Sequence, residues 1–251
     1  MTTQPILVVE GLEKKFGGVV AAHNISMQVN ACEQIAIIGS NGAGKTTFVN
    51  MVTGYLKPTA GSILFEGINV TGMNPRKTAL AGIRRSFQIA QVFPQLTALE
   101  NMIIADAAAE SSVSLWASSL RKKRIDEALE MLNYFGLKDI AMEKAGTLPQ
   151  GTRKKLDIAM ASVGNPSIML LDEPTSGVSV HEKMEMMEKI IQPLKNINAT
   201  ILFIEHDVDI VRSFAHRVIA FYEGTILADG DTEDVLANEK VRDYVIGRSH
   251  A

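Results

Sequence analysis

The sequence predicts an α/β fold: a mainly parallel central sheet with a helical insertion in its middle third. Three observations predict it. Runs such as "IAII" (35–38) and "IMLL" (168–171) are apolar at consecutive positions, as in strands buried on both faces of a parallel sheet. Helical patterns fall between such runs. Much of residues 97 to 163 carries helical spacing.

Strands are expected at Ile6–Glu10, Gln34–Ile38, Ser62–Glu66, Ile168–Leu171, Thr200–Ile204, Val218–Tyr222 and Thr225–Ala228, each bounded by Gly, Asn or Pro. Thr97 and Glu100 have capping-box spacing ahead of "NMIIADAAA". Ile125, Ala128, Leu129 and Leu132 recur at helical spacing, and Gly136 ends that helix. Leu156, Ala159, Met160 and Val163 repeat the pattern, closed by Gly164 and Pro166. The stretch "AESSVSLWASS" (109–119) fits the pattern least and reads as a loop. "RKKR" (121–124) reads as the solvated side of a helix, with a contact to anionic lipid or a partner as the alternative. The expected organisation is one domain, 1–251, with a helical subdomain at 92–164 inserted in the α/β core.

The net charge of −3 argues against a dedicated nucleic-acid binder, which shows a basic excess. The single cysteine, Cys32, excludes an internal disulfide and fits a reducing compartment; lying just before a strand, it reads as a small filler. The N-terminus lacks the pattern of a signal peptide. No apolar run approaches the roughly 20 residues of a membrane helix. The chain is therefore expected to be soluble, with any membrane link made through a partner.

The chemistry-bearing motifs lie at strand ends. "GSNGAGKTT" joins the strand "QIAII" to the helical pattern "TTFVNMV", which is the strand–loop–helix setting of a phosphate-binding P-loop. The backbone N–H groups of Gly39, Ser40, Asn41, Gly42, Ala43 and Gly44 are expected to converge on phosphate oxygens. Lys45 is expected at the β- and γ-phosphates, Thr46 on Mg²⁺ and Thr47 beside the α-phosphate. "IMLLDEP" ends a buried strand in two acids, Asp172 to hold Mg²⁺ through water and Glu173 to activate the attacking water. His206 ends the strand "ILFIE" and can read the γ-phosphate as a neutral imidazole. Gln88 in "RRSFQ" follows a short strand and can touch both Mg²⁺ and the water.

These elements, in this order, resemble the nucleotide-binding subunit of ATP-binding cassette transporters over essentially the whole chain. The resemblance implies an antiparallel β region near the N-terminus and the inserted helical subdomain. It implies that Phe16 in "KKFGG" stacks on adenine, that Gln88 is the Q-loop and that His206 is the switch histidine. It places the signature motif at Leu148, Pro149, Gln150, Gly151 and Thr152, and the D-loop at Ser176, Gly177 and Ser179. "GIRRSFQ", "FPQLTALENM" and the C-terminal "GTILADGDTEDVLANEKVRDYVIG" are similar to ATPases of branched-chain amino-acid uptake systems, whose relatives import urea, amides or aromatic acids. A lipopolysaccharide-export ATPase is also similar, so an exporter is the alternative. The implied mechanism joins two such subunits head to tail, each ATP lying between one P-loop and the other signature, with permease subunits and a solute-binding protein as further partners. The implied location is the cytoplasmic face of the cell membrane. Val92, Phe93 and Leu96 are candidates for a groove receiving a permease helix, or are ordinary core.

Two departures stand out. Pro149 replaces the signature serine and cannot donate a hydrogen bond, which costs about 1.5–3 kcal/mol when the acceptor is charged. Proline is nevertheless tolerated in the first turn of a helix. Gly151 still offers its N–H, Gln150 an amide, and Arg153 and Lys154 positive charge. Ser179 stands where the family carries aspartate. Both departures act on the opposite subunit's nucleotide, so a heterodimer with unequal sites is expected. Other classes fit less well: a soluble cassette ATPase acting on DNA or the ribosome, a P-loop kinase or GTPase (a GTPase should show an N-K-x-D motif, and there is none), or a regulator without turnover.

Overall fold

The computed structural model describes residues 4–109 and 118–247, so the loop expected at 109–119 falls almost wholly outside the described residues. The chain divides into two compact units, residues 1–81 with 200–251, and residues 82–199.

The first unit opens with a hairpin of β1 (Leu7–Phe16) and β2 (Val19–Val29), closed by Gly17 and Gly18 with Phe16 paired to Val19. It continues through β3 (Gln34–Gly39), α1 (Lys45–Val52), β4 (Ala60–Phe65), β5 (Ile68–Asn69) and α2 (Pro75–Ala81). An antiparallel sheet has the order β2-β1-β4-β5. Only Leu7–Glu10 of β1, and none of β2, was expected from the residues. In β2 the inward Ala22, Ile25, Met27 and Val29 are buried, but the alternation breaks at Asn24, which is left-handed at φ 48 beside a register shift. Such a bulge erases the period-2 signal.

The second unit comprises β6 (Ile83–Arg85), α3 (Ala98–Ala109), α4 (Ser118–Tyr134), α5 (Gln150–Ser162), β7 (Ile168–Asp172) and α6 (Val180–Asn196). β6 runs parallel to β7, with Ile83 opposite Ile168. The capping box forms at α3: the Glu100 amide donates to Thr97 Oγ1 at 3.1 Å and the Thr97 amide to Glu100 Oε2 at 2.8 Å. Hydrogen bonding to Thr97 holds the Glu100 carboxyl below its ordinary value. α4 ends at Gly136, where φ is 64 and the Leu137 amide returns to the Leu132 carbonyl at 2.7 Å. "RKKR" divides between two environments. Lys122 and Lys123 are exposed, whereas Arg124 is buried with its guanidinium 3.1 Å from Asp106.

The chain then returns to the first unit through β8 (Thr200–Ile204), α7 (Val208–Phe214), β9 (Arg217–Tyr222), β10 (Thr225–Asp231), α8 (Thr232–Ala237), α9 (Glu239–Val241) and a wide helical turn, Arg242–Ile246. β3 lies between β8 and β9, parallel to both, and β10 closes antiparallel on β9. Every residue of β3 and β8 is buried, as consecutive apolar runs require. Phe48 of α1 packs on Phe221 of β9, ring centres 5.5 Å apart, which seats α1 on the sheet. Cys32 is exposed at φ 62, ahead of β3, and so is not the small filler the sequence suggested. Among the described residues no helix is long and apolar enough to cross a membrane.

Candidate functional site

In the first unit, Ser40–Gly44 connect the buried end of β3 to α1. A Cβ on Gly39 would lie 2.7 Å from the Phe221 carbonyl oxygen, and one on Gly44, at φ 99, only 2.8 Å from that of Ala21. Neither position can take a side chain without moving backbone. The loop is fastened on both sides: the Ala43 amide donates to Ser40 at 3.1 Å and the Gly224 amide to Ala43 at 3.0 Å. The helical ladder starts with the Phe48 amide on Gly44 at 2.8 Å. The N–H groups of the first turn have no partner within the helix, the arrangement that receives anions. Lys45 is 7% exposed, and its ammonium donates to the carbonyls of Gly39 (2.6 Å) and Ser40 (3.0 Å). Its charge is therefore held within the loop. Thr46 is exposed, as are Asn41 and Gly42 at the tip, and Thr47 is half-buried.

Phe16 and His206 belong to the same unit. Phe16 is half-exposed at the end of β1, with Lys14 Nζ 5.1 Å from its ring centre. Its hairpin is tied to the phosphate loop by the contact of Ala21 with Gly44 and by the His23 amide on the Gly224 carbonyl at 2.8 Å. His206 follows β8, exposed, beyond the buried Glu205. With Gly39, Glu205, Val245 and Ile246 it lines a cavity of about 200 Å³.

In the second unit, β7 ends at Asp172, which is buried. Arg85 Nη2 donates to Asp172 Oδ2 at 2.8 Å, a pair buried on both sides. Burial lifts the Asp172 carboxyl above its ordinary value, and Arg85 and then Lys154 pull it back. Arg85 also covers the Phe87 ring at 4.6 Å. Glu173 is left-handed at φ 46, a conformation costing a non-glycine residue about 1–3 kcal/mol and found at functional sites. Its Oε2 accepts from Gln88 Nε2 at 2.9 Å, so two residues chosen separately from the sequence meet.

The segments expected to be the signature and D-loop share one groove, of about 390 Å³, that includes Pro149, Gln150, Gly151, Thr152, Gly177 and Ser179. Leu148 is buried beneath it. Pro149 is the N-cap of α5 (φ −55, ψ 153), one position before the first turn where the sequence put it. It caps without a side-chain acceptor, yet its carbonyl still receives the Arg153 amide at 2.9 Å. Gln150 lies with its amide against Gly177, where an added Cβ would sit 2.3 Å from Gln150 Nε2. Ser176 is half-buried. Ser179 is the N-cap of α6 and donates to Glu182 at 2.5 Å. Lys154 does not add charge to this surface. It is buried and turned the other way, donating to the backbone carbonyls of Phe87, Gln88 and Asp172.

Sequence reasoning passed over Arg85, Lys154 in its inward role, and Asp157, which accepts the Phe87 and Gln91 amides. The available signal was charge on an apolar helix face: Lys154 and Asp157 lie three residues apart beside Leu156 and Ile158. Val92 and Leu96 are half-buried, and Phe93 is 49% exposed.

The glycine loop between a buried parallel strand and a helix defines a P-loop nucleotide-binding protein. The model of the ABC transporter family matches residues 22–176. The chain is 34% identical to the high-affinity branched-chain amino acid transport ATP-binding protein LivG of Salmonella typhimurium, covering 98% of this chain and all of the relative. It is 33% identical to BraF of Pseudomonas aeruginosa, with the same coverage. A crystal structure of a nucleotide-free ATP-binding cassette superposes with a TM-score of 0.83 at 30% identity, covering 95% of this chain and 97% of the other. A cassette in its ADP conformation superposes equally, at 31% identity and the same coverage. The chain belongs to the ABC transporter family.

Proposed function

We propose that this chain is the ATP-binding, ATP-hydrolysing subunit of an importer, driving uptake of branched-chain amino acids or a related amino-acid-like, amide or aromatic solute through separate permease subunits. The observation that carries the reading is the phosphate loop, with the Lys45 ammonium held inside it, in a chain similar along its length to LivG and BraF. Lys45 and the loop amides bind the phosphates, and Phe16 stacks on the base. Thr46, Asp172 and Gln88 offer a hydroxyl, a carboxylate and an amide oxygen, a hard oxygen set suited to Mg²⁺ alongside phosphate and water. Bound there, the ion would neutralise phosphate charge. Glu173 takes the proton of the attacking water, Gln88 orients both, and His206 reads the γ-phosphate.

Leu148–Thr152 and Ser176–Ser179 serve a second ATPase subunit's nucleotide. Because Pro149 and Ser179 weaken that set, the favoured assembly is a heterodimer with unequal sites, on the cytoplasmic face of the cell membrane. A solute-binding protein delivers the substrate, and no nucleic acid takes part. The helical part, 92–164, is the subdomain that moves with the permease. Glu173→Gln should lower kcat at least about a hundredfold, the span of general-base catalysis, while ATP still binds. The same substitution in the partner should cost less. Equal losses from the two substitutions sink the asymmetry, and an unaffected rate sinks the catalytic assignment.

A further inference from the structure

After β6 ends at Arg85 the backbone follows no regular element until α3. Fixing such a stretch costs roughly 1–2 kcal/mol per residue in backbone entropy, so something must hold it. Two side chains of α5 do. Lys154, 3% exposed, directs its ammonium at the carbonyl oxygens of Phe87, Gln88 (3.0 Å) and Asp172 (2.8 Å). An ammonium has three protons, and here they meet three carbonyls. Asp157, 5% exposed, takes the Phe87 amide on Oδ2 at 3.2 Å and the Gln91 amide on Oδ1 at 2.9 Å. Phe87 is thereby held at both of its backbone polar groups. Gln88 lies inside this bracket, its own carbonyl on Lys154 and its side-chain amide on Glu173.

We infer that Lys154 and Asp157 are positioning residues for hydrolysis, fixing the 87–91 backbone so that the Gln88 amide reaches Glu173. The inference rests on the ATPase reading above. It also has a mechanical content. Gly151 and Thr152 open the same helix, so a displacement of the signature is passed to Gln88 through two side chains and no intervening loop.

The test uses the full-length chain co-purified with its partner subunits. Lys154→Met should lower kcat at least tenfold while the Kd for a fluorescent ATP analogue stays within threefold. Asp157→Asn should act in the same direction, and in both variants the Phe87 and Gln91 amides should exchange hydrogen faster than in wild type. In a Gln88→Ala background, Lys154→Met should cost less than a further twofold, because the residue it positions is gone. Equal fold losses in both backgrounds, or a kcat within twofold of wild type, overturn the inference. If Lys154→Met fails to fold, Asp157→Asn carries the same cycle. Wild-type protein that binds but does not hydrolyse ATP would refute the functional reading, while the exchange rates would still decide the bracket.

Discussion

Arg85 and Asp172 form an ion pair in which neither partner sees much water. Removing one member of such a pair strands the other's charge, so Arg85→Ala should lower unfolding free energy by about 3–5 kcal/mol in a denaturant titration. A loss near zero would mean that the Asp172 carboxyl does not depend on Arg85 for its burial. Gly44→Ala should abolish nucleotide binding as measured by ATP-analogue fluorescence, since its new methyl would meet the Ala21 carbonyl at a left-handed φ. Residues such as Lys45, Thr46 and Asp172 were legible because their setting is encoded within a dozen neighbouring positions. Lys154 and Asp157 were not, because a charge on a helix gives no sign of whether its partners are water or a distant loop. Only packing turned Lys154 away from Gly151 and toward Phe87.

At the scale of elements, the cap of α3 could be read from four letters, and the bond it forms is local. Thr97→Ala should destabilise the chain by about 1 kcal/mol, visible as a shifted urea midpoint. β2 illustrates the opposite case. Its inward residues are apolar, but Asn24 and the register shift displace the period, and the strand is fixed by pairing with β1. α5 makes a pH-dependent prediction. Burial, ahead of the opposing Gln91 and Phe87 amides, lifts Asp157 above its ordinary carboxylate value of 3.8. Between the unfolded and folded values the folded chain binds the extra proton, so this contribution to stability falls as pH rises through that window. Asparagine does not titrate there. The stability of wild type relative to Asp157→Asn should therefore improve on acidification from about pH 7 into that window. A constant difference would place Asp157 at its ordinary value.

For the whole molecule, the groove shared by Gln150 and Gly177 is where the proposed pairing of two chains can be tested. If the altered signature limits a paired chain, Pro149→Ser with Gln150→Gly should raise the ATPase rate of the chain by itself. One restored hydrogen bond to a charged oxygen, about 1.5–3 kcal/mol, corresponds to roughly tenfold or more. With a partner carrying an intact signature the gain should be smaller, and a gain of equal size would point to equivalent sites. The sequence could suggest unequal sites as a proposal but not the packing of Gln150 on Gly177, which depends on two segments more than twenty positions apart. Cys32 adds a practical consequence. It is the sole thiol of the chain, solvent-facing, two residues before the strand that leads into the phosphate loop. A maleimide dye would attach at one known point without any engineering, at the end of β3 opposite the nucleotide-binding loop, giving a native optical reporter on the strand that carries that loop.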